Sequence, residues 1–305
     1  MSQNPIVFDR QLVRRHRDRA AARLGEFDFL MIEASDRLAD RLLDLRRDFG
    51  RVLNLGAHTG GMATVWPRGL ETTCLMHADI SPAMATRAAA HGPSIACDEE
   101  ALPFADASLD AILSCLSLHW VNDLPGALVQ CRRALAPDGL FLASVLGGDT
   151  LVELREVMSA AEMEVAGGLS PRISPFADIP DLGGLLQRAG FALPVVDSDV
   201  LTVTYDNLFA LMADLKGMGE SNAVLERHKL PTRRGVLMRA AEIYHERFAD
   251  SDGRIPATFR ILTMTGWAPD ASQQKPLRPG SARNRLADAL GSAEAPAGEK
   301  TGPQH

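Results

Sequence analysis

The strongest constraint in the sequence is a rhythm. Short, almost unbroken apolar runs alternate with stretches whose apolar positions recur at helical spacing. RVLNL (51–55), CLMHAD (74–79), LDAILSCLSL (109–118) and GLFLASVL (139–146) read as strands, and helical patterns lie between them at 82–90 and 124–136. A further amphipathic helix, with Leu30, Ala34, Leu38, Leu42 and Leu45 on one face, delivers the chain into the first strand. Strands buried on both faces and joined by helices imply a parallel sheet, hence a doubly wound α/β domain.

After Gly147 the rhythm changes. Thr150 and Glu153 have the spacing of a capping box, which predicts a helix running to about Ala166. The Gly/Pro/Ser-rich segment 167–180 predicts a surface loop or lid, and DLGGLLQRAGF a helix stopped by Gly190. The stretch 195–205 reads as strand, 207–216 and 231–248 as helices, and 257–267 as a final strand. From about Ala268 the chain is rich in Pro, Gly, Ser and Ala without periodicity, and is expected to be largely disordered. The organisation expected is an N-terminal helical segment (1–48), the main domain (49–267) with a helical insertion at about 206–250, and a tail (268–305).

Composition removes several function classes. A net charge of −7 gives no global basic field for nucleic acid. The four cysteines, Cys74, Cys97, Cys115 and Cys131, lie among apolar residues with no CxxC pair, which predicts buried thiols in a reducing compartment and no metal site. No apolar run approaches a membrane span and no secretory signal is visible, so a cytoplasmic protein is expected. The arginine-rich start (Arg10, Arg14, Arg15, Arg17, Arg19, Arg23) is interrupted by Asp9, Asp18 and Glu26, unlike a transit peptide. It reads as a solvated helix face, with docking to an acidic partner or a membrane surface as the second reading.

Three elements fall at the carboxyl ends of successive predicted strands, the edge where open α/β sheets bind ligands. The first is the loop Gly56–Ala57–His58–Thr59–Gly60–Gly61, whose glycines allow a tight turn and close approach of backbone to a ligand. Asp79, some 20 residues further on, can accept hydrogen bonds from both hydroxyls of a ribose, while Ser81 before Pro82 can cap the next helix. Asp98 follows the third strand and can accept from an adenine amino group; Glu99 and Glu100 beside it read as an exposed acidic loop.

In this order, with LPF at 102–104 and LHWVND after the fourth strand, these elements resemble the class I S-adenosylmethionine methyltransferases. The resemblance spans residues 50–147 and implies a Rossmann-like, seven-stranded sheet with helical insertion and N-terminal helices. It implies S-adenosyl-L-methionine as cofactor, held by Asn54, Gly56, His58, Gly60, Asp79, Ile80, Asp98, Glu99 and Ser114. Asn54 stands where the family usually has an acid. It lacks the charge that attracts the cofactor's ammonium, and charge-assisted bonds are about twice as strong as neutral ones. His58 replaces a glycine and needs positive φ, which histidine tolerates better than most residues.

Further strings, among them FDR, GGDTLVELR, GGLSPRISPF, LMADLKGMGESN, IPATF and GSA at 280–282, resemble the complex I assembly factors of methyltransferase fold. That narrower resemblance implies a protein substrate, a complex I iron–sulfur subunit, and either methylation or arginine hydroxylation; a non-catalytic assembly factor is the third class. Candidate residues facing the substrate are His119, Trp120, Asn122 and Asp123, with packing or helix capping as the alternative. A peptide arginine needs carboxylates in a forked arrangement. Asp149, Glu153, Glu156 and Glu220 are the candidates; Glu220, between Gly217 and Gly219 on one side and Asn222 on the other, is the best functional one, and an exposed loop acid is its alternative.

Overall fold

The computed structural model describes residues 6–45, 47–176, 178–274 and residue 291. Met1–Asp270 form one compact unit, and Ala271–His305 a second. The expected disordered tail falls, from residue 275 onward apart from residue 291, outside the described residues, as does the string at 280–282.

Two helices, α1 (Arg10–Ala20) and α2 (Phe29–Leu45), precede the sheet. There follow β1 (Arg51–Leu55), β2 (Cys74–Asp79), α3 (Pro82–Ala88), β3 (Ser94–Ala96), β4 (Leu109–Cys115), α4 (Leu124–Ala134) and β5 (Leu135–Leu146). The second half adds α5 (Val152–Ala166), α6 (Ile179–Arg188), β6 (Ala192–Tyr205), α7 (Leu208–Met218), α8 (Arg234–Phe248) and β7 (Ile255–Trp267). The seven strands form one sheet in the order β3-β2-β1-β4-β5-β7-β6. The expectation of a parallel sheet holds for β1 to β5. The last strand, β7, runs antiparallel to both β5 and β6. Helices α7 and α8 lie between β6 and β7 in chain order.

Alternate residues of the central strands feed two cores. Ala111 and Leu113 of β4 and Leu140 and Leu142 of β5 pack on the side of α2, α5 and α8. Ile112, Phe141, Ala143 and Val145 pack on the opposite side with α4 and α6. Burial on both faces explains why these strands read as continuous apolar runs. All four cysteines are free; Cys115 and Cys131 are buried and Cys74 and Cys97 partly so. Burial pushes the Cys115 thiol up to about 11.

One local expectation is overturned. Thr150 and Glu153 do not form a capping box, and α5 starts after Leu151, held at φ 56. The physical reason is the edge of β7, whose pairing with β5 extends only from Ile261. Its backbone groups at Thr258 and Arg260 need partners. Thr150 Oγ1 accepts from Arg260 N at 3.1 Å, Leu151 N donates to Thr258 O at 2.7 Å, and Glu153 accepts from Thr258 N at 3.1 Å. The loop before α6 is tethered as well: Glu162 accepts from Ser170 N at 2.9 Å and pairs with Arg172.

A closed crevice and an open cavity

The strand order reverses between β1 and β4, and the crevice outside their carboxyl ends is the expected ligand position in such sheets. The Gly loop borders it. Gly56 lies at φ 66, and a Cβ there would sit 2.0 Å from Ser117 Oγ, so only glycine fits. Gly60, at φ 88, leaves 3.2 Å between a Cβ and the Ala88 Cα of α3. His58 holds φ 49, as the turn requires. Its backbone N–H donates to Asp79 Oδ2 at 2.9 Å, and its Nε2 lies 3.2 Å from Cys115 O. Burial, then Arg17, lowers its pKa.

Asp79 is fully buried. Besides His58 it accepts from Ser81 N at 2.8 Å and Arg17 Nη1 at 3.2 Å. Ser81 caps α3 through Met84 N, so the cap is not a role of Asp79. Glu99 is a correction to the expected exposed acidic loop: it is 0% exposed and turns into the crevice. It accepts from Ser117 Oγ at 2.6 Å and from Arg17 Nη1 at 3.3 Å, and it pairs with Arg10. Arg10 also holds Asp98 at 2.6 Å. Burial alone would raise the Glu99 carboxyl, but Arg10 and Arg17 hold it down to about 2. Glu100 turns elsewhere, accepting from Asn122 N and Asp123 N.

The solvated reading of the first helix is therefore corrected too. Arg14, Arg15, Arg19 and Arg23 face solvent, but Arg17 is 1% exposed and its guanidinium spans the ends of β2, β3 and β4. Its pKa is raised: burial opposes the charge, and Asp79, Glu99 and Glu220 more than restore it. A helical signal existed in the sequence, because Val13, Arg17 and Ala20 fall on one buried stripe. Ser117 and Arg10 carry no such local signal.

Of the remaining cofactor candidates, Asn54 is buried with Nδ2 3.3 Å from His77 Nδ1, and Ile80 is half-buried. Among buried atoms, Asn54 Oδ1, His58 Nδ1 and Ser114 Oγ have no hydrogen-bond partner.

A second space opens beside the crevice, a cavity of about 560 Å³ lined by Leu12, His16, Trp120, Phe176, Met218 and Glu220 among others. Here the structure brings His119, Trp120 and Glu220 together. Glu220 Oε2 accepts from Trp120 Nε1 at 2.9 Å and lies 3.0 Å from His119 Nε2, while Oε1 is buried without a partner. The alternative of an exposed loop acid is excluded, since the Glu220 side chain is 7% exposed. Burial raises its pKa, but His119 and Arg17 outweigh that and the net shift is downward, so it stays ionised.

The other substrate candidates go elsewhere. Asn122 Oδ1 accepts from Val7 N and Phe8 N, and Asp123 caps α4. Asp149 pairs with Arg260, Glu153 serves β7, and Glu156 is exposed.

Residues 53–143 match the family model described as a methyltransferase domain. The arginine-hydroxylase NDUFAF5, mitochondrial, of Danio rerio is 42% identical over 92% of this chain and 89% of its own length. The chain belongs to this family. A more distant relative is a malonyl-[acyl-carrier protein] O-methyltransferase of Xylella fastidiosa, 36% identical over 86% of this chain and 89% of its own length. Among solved structures, phosphoethanolamine N-methyltransferase 2 of Haemonchus contortus, in complex with S-adenosyl-L-methionine, aligns with a TM-score of 0.52 at 13% identity. That alignment covers 85% of this chain and 60% of the other, and it shows the shared fold. The class I methyltransferase fold expected from the Gly loop, Asp79 and Asp98 is thus the fold of the family. Among the described residues no helix is long and apolar enough to cross a membrane.

Proposed function

We propose that this chain is an S-adenosylmethionine-binding enzyme of complex I assembly that modifies an arginyl side chain of an iron–sulfur subunit. The half-satisfied carboxylate of Glu220 carries this reading. A buried ionised acceptor with a free oxygen costs stability unless a donor arrives, and a guanidinium supplies a fork of donors and a flat face to stack on Trp120 or Phe176. Apolar walls suit the methylene stem of such a side chain. Electrostatics support the same assignment, because Glu220 remains charged in its buried setting.

The cofactor's chemistry fits the residues of the crevice. Asp79 would hold the ribose, Asp98 the adenine edge, Gly56 and Gly60 the backbone approach, and the orphaned Asn54 Oδ1 would accept from the ammonium end. When bound, this cofactor supplies an activated methyl group. The chain's own contribution is to orient the incoming side chain against Glu220 and to keep water from it, the proximity effect that dominates such transfers. His119 and Trp120 act by fixing the Glu220 carboxylate. The names of the similar proteins favour a second reading, arginine hydroxylation in the same cavity. We place the activity in the cytoplasm, at newly made subunits.

The test is deletion of the gene in its host followed by mass spectrometry of the purified iron–sulfur subunit. A missing methyl group supports transfer, a missing oxygen supports hydroxylation, and an unchanged subunit rejects the enzymatic reading. Restoring the gene with Glu220→Gln should leave the modification absent while the protein accumulates normally.

A further inference from the structure

We propose that α1 is an internal competitor for the nucleoside crevice: its Arg17 and Arg10 guanidinia occupy the carboxylates a nucleoside ligand needs, so such a ligand binds only as α1 withdraws. The choice of S-adenosylmethionine as probe rests on the function proposed above; the competition itself rests on geometry.

Three observations converge. Arg17 is anchored at the ends of three strands at once, with Nη1 3.2 Å from Asp79 Oδ2 and 3.3 Å from Glu99 Oε1, and Nη2 2.9 Å from Ser117 Oγ. A ribose reaching Asp79 would need the volume this guanidinium fills. Arg10 takes Asp98 and Glu99 in the same way at the adenine end. Further along the Gly loop, between Asn54, His58 and Cys115, a space of about 30 Å³ remains, covered by Leu24, Met31 and Ser35 from the segment that follows α1. Pockets for small molecules are roughly ten times larger or more. Asn54 Oδ1 and His58 Nδ1, on residues bordering that space, are buried without a hydrogen-bond partner, which is rare for buried polar atoms.

The helix is held by contacts that can be exchanged. Asp9 caps its N-terminus through Leu12 N at 3.0 Å, and its own N–H donates to Ala223 O at 2.8 Å. His16 Nδ1 meets Ser221 O at 3.1 Å, and Ser81 Oγ donates to Asp18 at 2.5 Å. Leu12 and His16 of the same helix line the Glu220 cavity. Withdrawal of α1 therefore opens both spaces, and a chain with no ligand keeps its buried carboxylates paired.

The test uses the full chain, calorimetric binding of S-adenosylmethionine and amide hydrogen exchange. Saturating cofactor should accelerate exchange in residues 13–20. Asp9→Ala, which weakens the helix cap without touching the crevice, should tighten cofactor binding about fivefold, because a larger fraction of molecules is then open. Arg41→Ala, at a surface ion pair remote from α1, should leave binding unchanged. Binding with α1 equally or better protected, or weakened by Asp9→Ala, overturns the competition and keeps the cofactor. No binding by either chain at millimolar cofactor overturns the cofactor assignment and, with it, the competition.

Discussion

The crevice at Asp79 and Glu99 and the cavity at Glu220 both bury carboxylates near Arg17, yet they end in opposite states. In the crevice every carboxylate has its cation, supplied by a helix distant in sequence. In the cavity one carboxylate oxygen has no partner and a side chain's worth of space stands open. Burying a charge is costly unless it is paired. The crevice meets that cost internally; at Glu220 it is half met, which marks the place where a cationic substrate group is expected.

The largest effect that could break this contrast is on stability. Glu99→Gln removes the shared partner of Arg10 and Arg17 and should cost about 3–5 kcal/mol in urea unfolding. Glu220→Gln, where the carboxylate is only half satisfied, should cost no more than about 1–2 kcal/mol. Equal losses would erase the distinction. The next effect is on pH. Burial, with Arg19 second, pulls His16 down to about 4 from its ordinary 6.5. The unfolded chain therefore binds a proton that the folded chain refuses between those values. This contribution is fully present above pH 6.5 and falls by roughly 3 kcal/mol as the pH drops to about 4. Unfolding midpoints measured across that window, with His16→Gln as control, check it; a flat profile shows that α1 is not tightly docked there. The paired crevice carboxylate Glu99, held at about 2 against 4.5 when unfolded, adds to the loss from the acid end of this window, and most of its contribution disappears below it as the pH falls from 4.5 toward 2. The smallest effect sharpens the contrast from outside: Arg41→Ala breaks a half-exposed pair with Asp197 and should cost about 0.2–1 kcal/mol.

Much of the fold was legible because its signals are local. The strand 74–79 is visible residue for residue, since both faces of the sheet are covered. The turn at Gly56–Gly60 is visible because backbone conformation restricts residue type there. The capping box at Thr150 was misleading, because β7's unpaired edge, more than 100 residues away, claimed both side chains. In the site, Asp79, Asp98 and Glu220 were legible as carboxylates at strand ends or in a glycine-rich turn. Arg17 was not, because an arginine among five others reads as solvated. Its partners lie 62 and 82 residues away.

The sequence by itself determined the strands, the Gly turn and the acids along the carboxyl edge, since each follows from periodicity or backbone sterics within a few residues. Only the tertiary structure decided which charges meet: that Glu99 turns inward, that α1 lays Arg10 and Arg17 across the crevice, and that Glu220 keeps a free oxygen. Charge pairing depends on distance in space and on burial, and neither is encoded in the local pattern that makes a helix or a strand.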